Sequence, residues 1–178
     1  MVRRRLQAKV PVRTTVHTLL ATLAASCAAL AAAALPASAR PSGTCPHPGT
    51  INGVSVLIEC GPAKATARMG GTRLVLKNGE CKKTSENFTL GFGAVVAGPT
   101  TKPPPDSFQL LAGGSGSNAA SHDGTYTATV MLAKSGRNYI GDTVKLTLKR
   151  NRSAGIFAGT ITWTLGTKKV ALSGSFTC

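Results

Sequence analysis

Apolar and polar residues alternate with period two along most of the chain after its first fifty residues. That alternation buries one face of an extended segment and leaves the other in water, which is the pattern of a strand on a core. In TVKLTLK, Val144, Leu146 and Leu148 share one face, while Thr143, Lys145, Thr147 and Lys149 share the other. TYTATVML sets Tyr126, Ala128, Val130 and Leu132 inward, and FAGTITWTL does the same with Phe157, Ile161, Trp163 and Leu165. FTLGF and SFQLLA repeat the pattern through Phe88, Leu90 and Phe92 and through Phe108, Leu110 and Ala112. The closing run VALSGSFTC places Val170, Leu172, Phe176 and Cys178 on one face, so the last residue points inward with the core set.

NG, GG, DG and SAG lie between these runs and supply the tight turns of hairpins. Two longer stretches read as loops: GPTTKPPPDS, stiffened by Pro103 to Pro105, and GGSGSNAASHDG, flexible by composition. About eight short strands with regular turns belong to a β-sandwich or barrel. The expected architecture is all-β: a single antiparallel β-sandwich over residues 53–178, after an N-terminal loop segment 40–52.

The first 39 residues have a different character. A basic start (Arg3, Arg4, Arg5, Lys9, Arg13) leads into an alanine-rich apolar run and then Ala-Ser-Ala before Arg40. These are the parts of a secretory signal peptide, with cleavage expected after Ala39. The competing reading is an uncleaved anchor, since the apolar run approaches the length that spans a bilayer. LAASC around Cys27 resembles a lipid-attachment box, but more apolar residues follow it where a polar tether is needed. Cys27 is therefore read as part of the leader, without lipid anchoring, and the mature protein as extracellular or attached to the cell envelope.

Cleavage would lower the formal net charge from +15 to +10, because five of the 21 Lys and Arg leave and all six acids stay. With aromatics at 4%, the core is expected to rest mainly on Val, Leu, Ile and Ala. Cys45, Cys60, Cys81 and Cys178 remain, an even number that argues for two disulfides in an exported chain. Three pairings are open. The favoured one joins Cys45 to Cys60 and Cys81 to Cys178, the longer closure contributing roughly 4–5 kcal/mol against about 3 for the shorter in the chain-entropy model. It would also hold a final strand that is otherwise free to fray.

GGTRLVLKNGEC through NFTLGFG, then DGTYTAT and LSGSFTC, resemble the small actinobacterial envelope proteins typified by mycobacterial lipoprotein antigens. The resemblance covers roughly residues 63–178. It implies a β-sandwich, pairs Cys81 with Cys178, and lends no catalytic residue.

Candidate chemistry is sparse. His47 sits between two prolines, and His122 next to Asp123, where neighbours on a strand face opposite ways and make a poor base–orienter pair. The six acids are scattered, no Cys/His spacing fits a metal site, and no cofactor or metal is expected. Charge is more informative. If AKATARMGGTRLVLK turns at Gly70-Gly71, Arg68 lies opposite Arg73 and Lys64 opposite Lys77, with no acid in the hairpin. Like charges across a ladder destabilise it by about 0.2–1 kcal/mol per pair. Lys145, Lys149, Arg150 and Arg152 form a second cluster. Such charges protect sheet edges and solubility; they also make Lys64, Arg68, Arg73 and Lys77 a candidate surface for anionic envelope polymers or lipid headgroups. Few exposed aromatics are expected, which argues against sequence-specific nucleic-acid recognition. The expectation is a secreted, non-catalytic binding or structural protein. The alternative is a hydrolase or inhibitor with its site in the two long loops.

Overall fold

The computed structural model describes residues 45–178. The expected signal peptide, its cleavage site and Cys27 lie outside them. Ten strands follow one another: β1 (His47–Ile51), β2 (Val54–Ile58), β3 (Ala63–Met69), β4 (Thr72–Lys83), β5 (Asn87–Val96), β6 (Ser107–Gly113), β7 (Gly124–Lys134), β8 (Arg137–Lys149), β9 (Ala154–Trp163) and β10 (Lys169–Thr177). The described helical structure is one 3₁₀ turn, Gly116–Asn118. Among the described residues no helix is long and apolar enough to cross a membrane.

Every strand from β3 to β10 pairs antiparallel with its sequence neighbours, and β10 pairs back with β3 from Leu172↔Met69 to Thr177↔Lys64. The result is an eight-stranded up-and-down barrel, not the expected sandwich. Alternation is identical in the two architectures; what separates them is whether the first and last strands meet. Here they do, and closure removes the two edges that a sheet of this length would otherwise expose.

The inward positions are those the alternation marks. Phe88, Leu90, Phe92, Phe108, Leu110, Ala128, Val130, Val144, Leu146, Leu148, Phe157, Ile161, Leu172 and Phe176 form one continuous core. Eight strands leave an interior just wide enough for side chains to fill. All five phenylalanines of the chain lie there, so the aromatics are few but concentrated. Room for them comes from small residues on neighbouring strands. Phe157 faces Gly174, where a Cβ would stand 2.5 Å from its ring, and Phe176 faces Gly155 at 2.6 Å. Ala63, Ala65 and Ala67 on β3 serve the same purpose. Trp163 is only half-buried, with Arg137 over its ring at 5.5 Å, and Leu165 is exposed in a turn.

Residues 47–51, expected in a loop, form β1. It pairs with β2 around the Asn52-Gly53 turn, and Val54, Val56 and Ala94 make a small second core with Ile51, Ile58 and Val96. HPGTI is too short and too rich in Gly and Pro to announce a strand; pairing with VSVLI makes it one. Cys45–Cys60 closes this hairpin, and Cys81–Cys178 ties the end of β10 to β4.

The β4–β5 seam is unusual. β4 pairs with β3 from Thr72 to Gly79, but with β5 only over Glu80–Lys83. Beyond that point β5 pairs instead with β2, through Ala94↔Ile58 to Val96↔Val56. Among the described residues, the first two-thirds of β4 therefore has a ladder partner on one side alone.

Candidate functional site

The β3–β4 hairpin takes the expected register: Met69↔Thr72, Arg68↔Arg73, Ala67↔Leu74, Thr66↔Val75 and Ala65↔Leu76. Its turn, Gly70-Gly71, has positive φ at both residues, 54° and 90°. This is the type I′ geometry that suits the twist of a two-residue hairpin and that glycine adopts without strain. The register then shifts between Ala65↔Leu76 and Ala63↔Gly79, so Lys64 stands against both Lys77 and Asn78 and not against Lys77 alone. Ala63, Ala65 and Ala67 enter the core, which forces Lys64, Arg68, Arg73 and Lys77 to the outside, where all four are exposed.

Strand order extends this face well beyond the hairpin. Following the pairings around the barrel, Arg73 lies beside Arg68, then Ser173, Ala158 and Lys145. A second row runs from Lys64 through Thr177 and Ala154 to Lys149. Between them lies an uncharged row of Val75, Thr66, Ser175, Ile156 and Thr147. With strands about 4.8 Å apart, the first row is about 19 Å long, and the two rows are about 13 Å apart along the strands. The centre of this wall is built of small side chains. A shallow depression of about 390 Å³ there is bordered by Lys64, Lys149 and Arg150, with Thr66, Ile156 and Ser175 in its floor. None of the six acids belongs to either row; the nearest in sequence, Asp142, lies in the irregular stretch of β8 before Lys145.

The two clusters seen in the sequence are thus one surface, with a change of membership. Arg152 does not join it. Its guanidinium turns inward and donates to the carbonyls of Thr84 (2.8 Å) and Ala120 (2.9 Å), tying two loops together. Lys83 donates to the Asn151 carbonyl and to Ser153 Oγ, and Lys102 to the Asn52 carbonyl. Lys82 pairs with Glu80 at 3.4 Å and Lys134 pairs with Asp106. Among the described residues, Lys64, Arg68, Arg73, Lys77, Lys145, Lys149 and Arg150 take part in no such contact.

The loops hold a different arrangement. Ser121 Oγ lies 3.1 Å from His122 Nδ1, and His122 lines an open pocket of about 590 Å³ together with Tyr126, whose hydroxyl donates to the His122 carbonyl. A hydrolytic triad needs the acid on the other ring nitrogen of the base. Asp123 instead accepts the backbone N–H groups of Arg152 (2.7 Å) and Asn151 (3.1 Å). Those bonds, led by the one from Arg152, hold its carboxyl below the usual aspartate range. It works as a clasp on the β8–β9 turn. On the far side of the barrel, Glu59 lies over Gly91, where a Cβ would meet its carboxyl at 2.7 Å. Burial, together with repulsion from Glu80, raises its pKa above the usual glutamate range, against the opposing pull of Lys82 and Gln109. Among the described residues no group of three or more His, Cys, Asp or Glu is placed to hold a metal ion. The chain matches no protein-family model, no curated protein and no solved structure.

Proposed function

We propose that the protein is a non-catalytic binding module that engages anionic, phosphate-rich polymers or headgroups at the outer face of β8, β9, β10, β3 and β4. One observation carries this reading: among the described residues seven cations gathered on one wall lack an internal partner, while Lys82, Lys83, Lys102, Lys134 and Arg152 are tethered to carbonyls, a hydroxyl or acids, Arg137 lies over Trp163, and the remaining untethered pair, Lys168 and Lys169, stands apart at the turn into β10. Their separations are near the Debye length of about 8–10 Å at moderate salt, so the repulsion within the wall is felt at low ionic strength and screened at high. An anion laid across the rows relieves that repulsion and displaces counterions of its own. The depression beside Lys64, Lys149 and Arg150 is wide enough for one phosphate or carboxylate group between its three cations. Two disulfides suit an exported protein in an oxidising compartment, and export to the cell envelope, as the motifs of residues 63–178 lead one to expect, would put such polymers within reach.

Inorganic polyphosphate is the test probe. Binding should raise the melting temperature at low salt, since a ligand of the folded state stabilises it by about 2.7 kcal/mol at one hundred times its Kd. The logarithm of affinity should fall linearly with the logarithm of salt, and each cation removed should flatten that slope by somewhat less than one. Arg68→Gln with Arg73→Gln and Lys145→Gln with Lys149→Gln should each flatten it. Lys82→Gln with Lys134→Gln, away from the two rows, should not. Equal losses in all three double variants would show that only net charge matters, and the wall would lose its standing.

A further inference from the structure

β4 offers more than side chains. In the two-residue hairpin Met69 and Thr72 are the pair that exchanges hydrogen bonds, so Arg73 and Val75 direct their N–H and C=O groups away from β3. On that side β5 has left to pair with β2, and among the described residues no strand takes its place. The vacancy is a groove of about 480 Å³ between Thr72–Lys77 on one bank and Phe92, Gly93, Asp106, Ser107 and Leu132–Lys134 on the other. Its floor is apolar, because Leu74, Leu76, Phe92 and Leu132 are inward residues reached through the open seam. Its outer rim carries Arg73, Val75, which is 57% exposed, and Lys77. The acid on the opposite bank, Asp106, is already engaged by Lys134 and the Ser135 N–H.

We propose that this groove takes an extended peptide segment as an added strand, with acidic residues opposite Arg73 and Lys77 and apolar residues at the two positions between that point inward. The backbone supplies affinity through the free donors and acceptors of Arg73 and Val75, and alternate side chains supply selectivity, which is how strand addition works at any open sheet edge. Inward residues of the guest meet Leu74 and Leu76. Outward ones meet the two cations, where opposite charges across a ladder are favourable and like charges are not. A second copy meets this rule less well. Two β4 edges paired antiparallel about Val75 set Arg73 against Lys77 twice, paired about Arg73 they set arginine against arginine, and in no register does the open stretch Thr72–Gly79, which holds no acid, bring an opposite charge to either cation. The chosen partner is therefore a foreign, acidic strand.

The probe is the blocked heptapeptide Thr-Glu-Val-Thr-Val-Glu-Thr, added to the disulfide-bonded protein, with a version carrying lysine in place of both glutamates as control. Saturating acidic peptide should slow hydrogen exchange of the Arg73 and Val75 amides at least tenfold, and the lysine peptide should not. Val75→Pro removes an edge donor without touching the β3 ladder. It should weaken the peptide at least tenfold, whereas Lys145→Gln with Lys149→Gln, outside the groove, should weaken polyphosphate and leave the peptide bound as before, which separates this site from the basic wall that shares Arg73 and Lys77. Should Val75→Pro fail to fold, Arg73→Glu with Lys77→Glu decides, and must reverse the preference toward the lysine peptide. Unprotected Arg73 and Val75 amides, full binding by Val75→Pro, an unreversed preference, or occupation of the groove by dodecanoate but not by peptide would each overturn the proposal.

Discussion

On the wall formed by β8, β9, β10, β3 and β4, Lys145, Lys149, Arg68, Lys64, Arg73 and Lys77 stand together on the outer face, with one exposed acid, Asp142, at the irregular stretch of β8. On the wall formed by β5, β6 and β7, the outward positions facing one another hold Thr89, Gly91, Gln109, Leu111, Thr129 and Met131. Both walls present the same kind of interior, Phe and Leu against Ala and Gly, and both obey the same alternation. The difference lies wholly on the side that packing does not constrain. Of the acids near the second wall, Glu59 and Glu80 crowd together by Gly91 with Lys82, Asp106 is engaged by Lys134, and Glu86 sits just before β5. Nothing in barrel stability asks for this separation of charge. It is the outer face, free of packing demands, that can carry a binding role.

The largest expected effect comes where the two walls meet. Cys81 stands at the β4–β5 seam opposite Leu90, and it holds the end of β10 from the basic wall. Cys178→Ser should remove up to about 4–5 kcal/mol, a fall in melting temperature of about 10–20 °C. A melt within a few degrees of wild type would show that barrel closure by β10 and β3 needs no staple.

Two neighbouring arginines sharpen the contrast between a tether and a free charge. Arg152→Ala strands the carbonyls of Thr84 and Ala120 and should cost about 1–3 kcal/mol in urea unfolding, with little change in polyphosphate affinity. Arg150→Gln should do the reverse. Next in size, Arg68→Gln with Arg73→Gln should leave the unliganded protein unchanged or more stable by up to about 1 kcal/mol at low salt, the gain vanishing as salt rises. A loss of stability would mean that these side chains contribute packing and not repulsion.

The smallest effect belongs to the other wall and is read from pH. Burial raises the folded pKa of Glu59, so its contribution to stability is complete below the ordinary glutamate range and is lost as pH rises through the raised value. Glu59→Gln should therefore stabilise the protein at pH 7 and change nothing at pH 3. Asp123 and Asp106 have the opposite sign. Asp123 is held low by the Arg152 and Asn151 N–H groups; Asp106 is held low by Lys134 and the Ser135 N–H, against burial that works to raise it. Their contributions are present above the ordinary aspartate range and are lost as pH falls through their lowered values. Acidification from pH 7 should first hold or raise stability and then lower it, which denaturant melts at stepped pH will show.

Period two was legible in nearly every strand, because each inward side chain from Phe88 to Phe176 must be apolar and its neighbours need not be. The hairpin register at Gly70-Gly71 was legible for the same local reason: two glycines admit one tight turn, and everything counts outward from it. β1 was not, since a five-residue segment with Pro48 and Gly49 has no preference of its own and becomes a strand only beside β2. The cysteine pairing favoured on loop length and family resemblance is the one present.

What the sequence determined by itself was everything that depends on residues close in the chain: all-β character, which face of each strand is buried, the turns, and the excess of positive charge. What only the tertiary structure decided was which distant strands are neighbours. Closure of β10 onto β3 made a barrel where alternation allowed a sandwich equally well. It also brought Lys145 and Lys149, more than seventy residues away, into line with Arg68 and Lys64. Arg152 left that cluster because its guanidinium answers carbonyls on two other loops, and β4 has an open edge among the described residues because β5 pairs there with β2 instead. Ladder pairing between strands far apart in sequence is chosen by the energy of the whole closed sheet, and no local pattern encodes it.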